Sequence, residues 1–306
     1  MKKAMCYTNK EMDISTIVLT YNEEKHIERC LRNALKISKK VYVIDSPSTD
    51  RTQELCKSFS NVELIEHFYP GNQAEQFNWA LSNLDIHTKW ILRLDADEYL
   101  SDELIDEIRV KLPLLEDGVT GIHLKRKCFF LNRLMKHGPT INLLRLFRTG
   151  HGRCEMRLMD EHLVLNDGLS VTFNNLFYDH SLIELDDWIK KHLNYAKRNT
   201  AEVLNMKYGL RANDNSLLTG QASFKRKLKS FYYNLPLFVR PFIYFFYRYF
   251  IQGSFLDGRE GFLWCYYQAR WYPALVDTHL WQIKKECGKD VDKIKAYLKR
   301  EYGIVM

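Results

Sequence analysis

From residue 14 to residue 94 the chain repeats one pattern, a short apolar run followed by a segment with helical spacing. Ile14 to Leu19, Val41 to Ile44, Val62 to Ile65 and Trp90 to Leu94 read as strands, while Glu24 to Lys36, Asp50 to Phe59 and Gln73 to Leu84 read as helices. Ile27, Leu31, Ala34 and Leu35 mark the apolar face of the first helix, and Thr49-Asp50 is a start signal for the second. A helix between two strands returns the chain to the end it left, so the alternation predicts an α/β fold with a mostly parallel central sheet and helices on both faces. Open sheets of this kind bind ligands beyond the carboxyl ends of their strands. Polar clusters fall at those ends: Tyr21-Asn22-Glu23 after the first strand, Asp45-Ser46 after the second and Asp95-Ala96-Asp97 after the fourth.

The segment WILRLDADEYL, residues 90 to 100, carries the most chemistry. Asp95 and Asp97 are two apart, which puts both on one side of an extended chain, and a bend after Leu94 lets both reach one ion. Hard oxygen ligands suit Mg2+ or Mn2+ and leave coordination positions for a substrate phosphate. The alternative is an acidic turn opening the next helix, since Ser101 and Asp102 are good N-caps.

With 306 residues, 46% of them apolar, the chain can bury a large core and fits one large domain plus an appendage. The seven cysteines are scattered and odd in number, without metal-binding spacing, which favours reduced thiols over a disulfide framework. The start, MKKAMCYTNKEMD, has no apolar stretch of signal-peptide length, so the expected location is the cytoplasm. A net charge of +7 invites an acidic partner. Its clearest concentration is KRKLK at residues 225 to 229, directly before the most aromatic segment, and no nucleic-acid-binding motif accompanies it.

Six motifs in order, STIVLTYNEEKHI, VYVIDSPSTDRT, GNQAEQFNWAL, WILRLDADEYLSDEL, LLRLFRTGHGR and MDEHLV, make the chain over roughly residues 14 to 185 resemble the family 2 glycosyltransferases with the GT-A nucleotide-sugar-binding fold. Within that family it resembles bacterial enzymes of the lipopolysaccharide inner-core glucosyltransferase type, which add sugars to cell-envelope glycans. The resemblance implies an inverting transferase that moves a sugar from a nucleotide diphosphate sugar to a hydroxyl of a glycan or lipid-linked acceptor. Asp45 would accept the imide N–H of a pyrimidine, a contact uracil offers and cytosine does not, which favours a UDP-sugar; alternatively Asp45 caps the Ser46 to Thr49 turn. Thr20, Tyr21 and Glu23 would line base and ribose. Asp50 matches the end of the D-x-x-x-x-D signature, and a helix-start role explains it equally well.

The resemblance also implies that Asp95 contacts the ribose or binds metal through water, that Asp97 ligates the metal directly and that His180 is a third ligand. Many relatives carry Arg or Lys just before Asn78, a nucleotide-binding position, and this chain has Phe77 there. Arg93, on the same strand face as Asp95, could supply the cation; Arg145 and Arg148 are other candidates. An inverting transferase needs one general base for the acceptor hydroxyl. Glu161 takes that position in MDEHLV, with Asp160 the runner-up; alternatively these acids cap a turn or pair with Arg157.

Beyond residue 185, Leu185, Trp188, Ile189, His192, Leu193 and Ala196 keep helical spacing. The expected division is a catalytic domain over 1–185 and a helical, aromatic-rich, basic extension over 186–306. Arg240 and Arg248 interrupt the aromatic segment and Pro236 and Pro241 break it, so it does not read as membrane-spanning. Basic residues beside rings fit peripheral binding to an anionic membrane surface from the cytoplasm; an aromatic core or a dimer interface is the alternative. A sugar nucleotidylyltransferase would open with a glycine-rich loop where this chain has TYNEEKH, and a non-catalytic glycan-binding scaffold would not need Asp95, Asp97 and Glu161 together.

Overall fold

The structure, a computed structural model, describes residues 12–157, 159, 161–211 and 231–306. Two compact units emerge. The first comprises the chain up to Arg126 together with Ile141–Arg153 and Leu165–Ser181; the second comprises Lys127–Thr140, Cys154–Val164 and the chain from Leu182 on. Both units are discontinuous in sequence, since two stretches before residue 165 group with the second.

In chain order the first unit begins with β1 (Ile14–Thr20), α1 (Ile27–Ala34), β2 (Lys40–Asp45), α2 (Thr52–Lys57), β3 (Val62–Glu66), α3 (Gln73–Asn83), β4 (Trp90–Asp95), β5 (Glu98–Leu100) and α4 (Asp102–Lys111). The chain goes on through β6 (Val119–Phe130), β7 (Arg133–Leu134), β8 (Ile141–Arg148), β9 (Gly152–Cys154), β10 (Leu163–Leu165) and β11 (Leu169–Asp179), of which β7 and most of β10 belong to the second unit. The main sheet runs β3-β2-β1-β4-β8-β6-β11-β5. Its first four strands are parallel, as the alternation requires, and β8 joins β4 antiparallel. The sheet is therefore mixed, with a parallel half built by crossover helices and an antiparallel half that β6, β8, β11 and β5 add.

Val18, Val41, Val43, Leu92 and Leu94 are fully buried in one cluster with Ile27, Leu31, Leu104 and Ile108, because helices cover the sheet and shield its apolar side chains. Helix starts are satisfied locally: Ala74 donates its N–H to the Asn72 side chain at 2.8 Å and Leu104 donates to the Ser101 hydroxyl at 3.1 Å. Two registers matter for function. Thr20 pairs with Asp45 and Leu19 with Asp95, so the carboxyl ends of β1, β2 and β4 are level.

The second unit holds α5 (Leu185–Tyr208), α6 (Arg240–Phe246), α7 (Gly258–Cys265), α8 (Tyr272–Cys287) and α9 (Val291–Tyr302). Ala196, Val203 and Leu204 of α5 share a core with Val276, Leu280 and Ile283 of α8 and Leu298 of α9. Arg240, read from sequence as a charge that breaks the aromatic segment, is fully buried here and ion-pairs with Asp277 between the rings of Tyr232 and Tyr233. Among the described residues no helix is long and apolar enough to cross a membrane.

Candidate active site

Asp45 ends β2 and is completely buried. Its carboxylate accepts hydrogen bonds from the Thr20 hydroxyl (2.8 Å), the Ser48 hydroxyl (2.6 Å), the Ser48 N–H (2.9 Å) and the Gln53 side-chain amide (2.9 Å). Four donors on two oxygens saturate the group, so in this structure Asp45 organises the loop after β2. The uracil contact expected of it would have to displace one of these donors.

The loop after β1 is stapled to the same place. Asn22 adopts a left-handed backbone (φ 55°), which Asn tolerates better than most residues, and donates its N–H to the Ser48 hydroxyl (2.8 Å). In return its side chain accepts the Thr49 N–H (2.8 Å). Glu23 donates its N–H to Thr52 and its carboxylate pairs with His26 at 2.5 Å. Asp50 accepts the N–H groups of Glu24 and Thr52 and the Thr52 hydroxyl. Burial disfavours its charge, but these hydrogen bonds hold its carboxyl below the ordinary range. Asp50 thus ties two loops together, which goes beyond a helix-start role. Tyr21, exposed at 60%, stands out from this rigid frame.

At the end of β4, Asp95 lies between two guanidiniums, Arg145 at 3.2 Å and Arg93 at 3.7 Å. Burial works against its charge, yet Arg145, Arg93 and Arg126 outweigh burial and hold its carboxyl well below the usual carboxylate range. Glu98 is 1% exposed, receives Arg145 at 2.6 Å and Arg126 at 3.6 Å, and accepts the Asp95 N–H at 3.0 Å. Burial, opposed by Arg145 and reinforced by the Asp95 charge, pushes Glu98 up to about 8. The two acids are therefore pushed apart: the arginines favour the charged form of Asp95, while burial disfavours that of Glu98.

Arg93 is 4% exposed and rests on the Phe77 ring at 5.0 Å from its centroid. Arg148, the other candidate cation, pairs in register with Trp90 at the opposite end of β4 and donates to the backbone oxygens of Val119 (2.8 Å) and Glu116 (3.2 Å). It braces the sheet and is not a cation of this site.

Asp97 and His180 meet through strand register. β5 pairs with β11 so that Glu98 faces Asp179, which brings together the next residues outward; His180 donates its N–H to the Asp97 oxygen at 3.0 Å. Arg29 of α1 bridges them by donating to both backbone oxygens, at 3.2 Å to Asp97 and 2.6 Å to His180, with its guanidinium over the Tyr99 ring at 4.8 Å. Burial, then the charges of Arg29 and His26, lower the His180 pKa and keep its imidazole neutral, the form that ligates metals. Among the described residues no ready-made group of three His, Cys, Asp or Glu surrounds a metal position. The donor chemistry of Asp97 and His180 would suit a divalent cation, whereas Asp95 is already neutralised by arginine.

Sequence reasoning passed over Arg29 and assigned Glu98 no role. A basic residue immediately before Cys30 on an amphipathic helix carries no mark of function in sequence; the signal for Glu98 was its place in the acidic run.

Glu161, the expected base, lies in the second unit, and Asp160 lies outside the described residues. The strand-like exchange between Glu155 and His162 closes the loop that carries Glu161: Glu155 donates its N–H to the His162 oxygen at 2.9 Å. The fully buried Glu155 carboxylate accepts the His162 N–H at 3.2 Å and pairs with the His162 ring at 2.8 Å and with Arg157 at 3.3 Å. Arg157 also reaches Glu202 at 3.8 Å.

Residues 15–151 match the family profile described as Glycosyl transferase family 2. This part of the chain is a family 2 glycosyltransferase domain. An uncharacterized glycosyltransferase of Rickettsia typhi is 34% identical over 97 residues, which are 31% of this chain and 31% of that protein, and one of Rickettsia prowazekii is 33% identical over the same length and shares. The match thus spans less than a third of those relatives. Among solved structures, S. aureus TarS 1-349 has a TM-score of 0.42 at 17% identity, covering 96% of this chain and 92% of that one. Glucosyl-3-phosphoglycerate synthase from Mycobacterium tuberculosis, in complex with Mn2+, uridine-diphosphate and glucosyl-3-phosphoglycerate, has a TM-score of 0.30 at 20% identity, covering 39% and 44%.

Proposed function

We propose that the protein transfers a sugar, with inversion, from a uridine diphosphate sugar to a hydroxyl of a cell-envelope glycan or lipid-linked acceptor, working at the inner face of the cytoplasmic membrane. The observation that carries this reading is the level meeting of three strand ends, where the Asp45 loop, the Asp95 carboxylate between Arg93 and Arg145, and the Asp97–His180 pair converge in one compact unit.

Each residue has a definite task. Tyr21 stacks on the base, while Thr20, Glu23 and Asp45 fix the frame that holds base and ribose. Asp95, kept ionised and oriented by Arg145 and Arg93, accepts from ribose hydroxyls or metal-bound water. Arg93 takes the diphosphate; Asn78, the other residue expected there, lines a cleft with Ser82, Ile91 and Thr149 instead. Asp97 and His180 hold a Mg2+ or Mn2+ ion, which when bound neutralises charge on the departing diphosphate. Glu161 removes the acceptor proton.

A screen of nucleotide sugars with the purified protein and Mn2+ tests this, reading nucleoside diphosphate release in the presence of envelope-glycan precursors. Release dependent on a uridine diphosphate sugar and on acceptor is expected. Pyrophosphate formation from a nucleoside triphosphate and a sugar phosphate, or no turnover of any nucleotide sugar, overturns it.

A further inference from the structure

The helical run from Arg240 to Ile251 has two unlike sides. Inward, Arg240, Pro241 and Arg248 are buried, and Arg240 is locked to Asp277. Outward, Phe242, Ile243, Phe246, Tyr247, Phe250 and Ile251 form a stripe at helical spacing, each between 46% and 68% exposed and none of them charged. Phe255 and Leu256 continue it just beyond the helix, at 46% and 58% exposure. Scattered exposed apolar residues are ordinary, but a continuous aromatic stripe of this kind is a surface built for an apolar partner.

We infer that this stripe is the part of the protein that enters the headgroup region of an anionic phospholipid bilayer. The inference rests on the membrane reading above and names the surface responsible. Between residues 215 and 256 there is no Asp or Glu, while six residues are Lys or Arg, four of them the KRKLK cations immediately upstream. On the stripe's border the Arg270 guanidinium lies 3.5 Å from the Phe242 ring centroid, a cation beside a ring as a bilayer interface favours. Charge decides between lipid and a second copy of the chain. Self-association about a two-fold axis would bring the cation at the stripe's border, Arg270, toward its own copy with no carboxylate on the stripe to pair with it, whereas anionic lipid neutralises it; the KRKLK residues lie outside the described residues. A transmembrane role is not needed, since aromatic insertion plus basic attraction suffices for peripheral binding.

The test is co-sedimentation of the full chain with phosphatidylcholine vesicles, with and without phosphatidylglycerol, at low and high ionic strength. The Phe242→Ser/Phe246→Ser/Phe250→Ser variant alters only outward side chains, and its melting temperature checks that the fold survives. Wild type should sediment with the anionic vesicles and keep a salt-resistant fraction. The variant should lose at least about tenfold in partitioning, including that fraction. Failure of wild type to sediment at low salt, or equal binding by the variant, overturns the inference. So does a wild-type dimer in sedimentation velocity that the variant dissociates, because the stripe is then a self-association face. None of these readouts uses a sugar donor, so they stand or fall apart from the transferase reading.

Discussion

The Arg93 guanidinium lies over the Phe77 ring, 5.0 Å from its centroid, and reaches to 3.7 Å from Asp95. A ring at 77 leaves the position before Asn78, midway along α3, without positive charge, and Arg93 of β4 supplies it. The ring then does two jobs: it fills the core beside Phe147 and it holds the guanidinium flat.

Arg93→Ala should therefore lower kcat/KM for the donor by about ten- to 100-fold, the range of a lost charge-assisted hydrogen bond. Arg93→Lys should recover only part of this, because an ammonium neither spreads over the ring nor forks toward a carboxylate. Steady-state kinetics with varied donor checks both. Full activity of Arg93→Ala would remove the residue from the site.

Asp97→Asn should leave the melting temperature nearly unchanged, because the contacts that place the residue use its backbone oxygen, while donor binding loses its dependence on Mn2+. Calorimetric titration of uridine diphosphate with and without chelator shows this directly. Equal affinity in wild type under both conditions would dissociate the pair from metal.

Glu161→Gln should retain donor affinity and lose transfer by about 100-fold or more, as removal of a general base commonly does. Glu155→Ala should produce a partial version of the same defect by releasing the neck of the loop, and the double variant should be no slower than Glu161→Gln alone. Additive losses would mean that Glu155 does not act through Glu161.

His192 gives a pH dependence of stability. Its ring stacks on Trp188, Nδ1 faces the Trp188 oxygen at 2.8 Å and Nε2 faces the Gln268 side-chain amide at 2.9 Å, an arrangement suited to a neutral imidazole. Burial is the main reason that its pKa falls to about 4 from the ordinary 6.5. A histidine with a depressed folded-state pKa binds its proton more readily when unfolded. Its stabilisation is therefore complete above 6.5 and fades as pH falls toward 4, by up to roughly 3 kcal/mol. Melting temperatures measured between those values should drop more steeply for wild type than for His192→Gln. Parallel curves would refute the assignment.

The parallel half of the sheet and its acidic ends were legible because they are local. Each strand holds a short apolar run, and Thr20, Asp45 and Asp95 stand at predictable ends. The antiparallel half was not, because β6, β8 and β11 find each other across long loops and sequence carries no marker of register. That same register makes a pair of Asp97 and His180. Arg29 and Glu98 were hidden for a related reason: their partners are residues 126, 145 and 180, and only folding brings them close. For Asp45 the residue was visible and its surroundings were not, since Ser48 and Gln53 are ordinary loop and helix residues until both donate to one carboxylate.

The hairpin at Lys127–Thr140 is fastened by groups far down the chain. Phe130 packs on Trp188 and Trp264, and the His137 N–H waits for Asp257, 120 residues later. At synthesis rates of about 5–20 residues per second, roughly ten seconds pass between the appearance of the histidine and that of its acceptor. Until Trp188 and then Trp264 emerge, the Phe130 ring lacks these partners on the nascent chain, which makes this hairpin the natural point for a chaperone to hold and for a stalled or truncated product to aggregate.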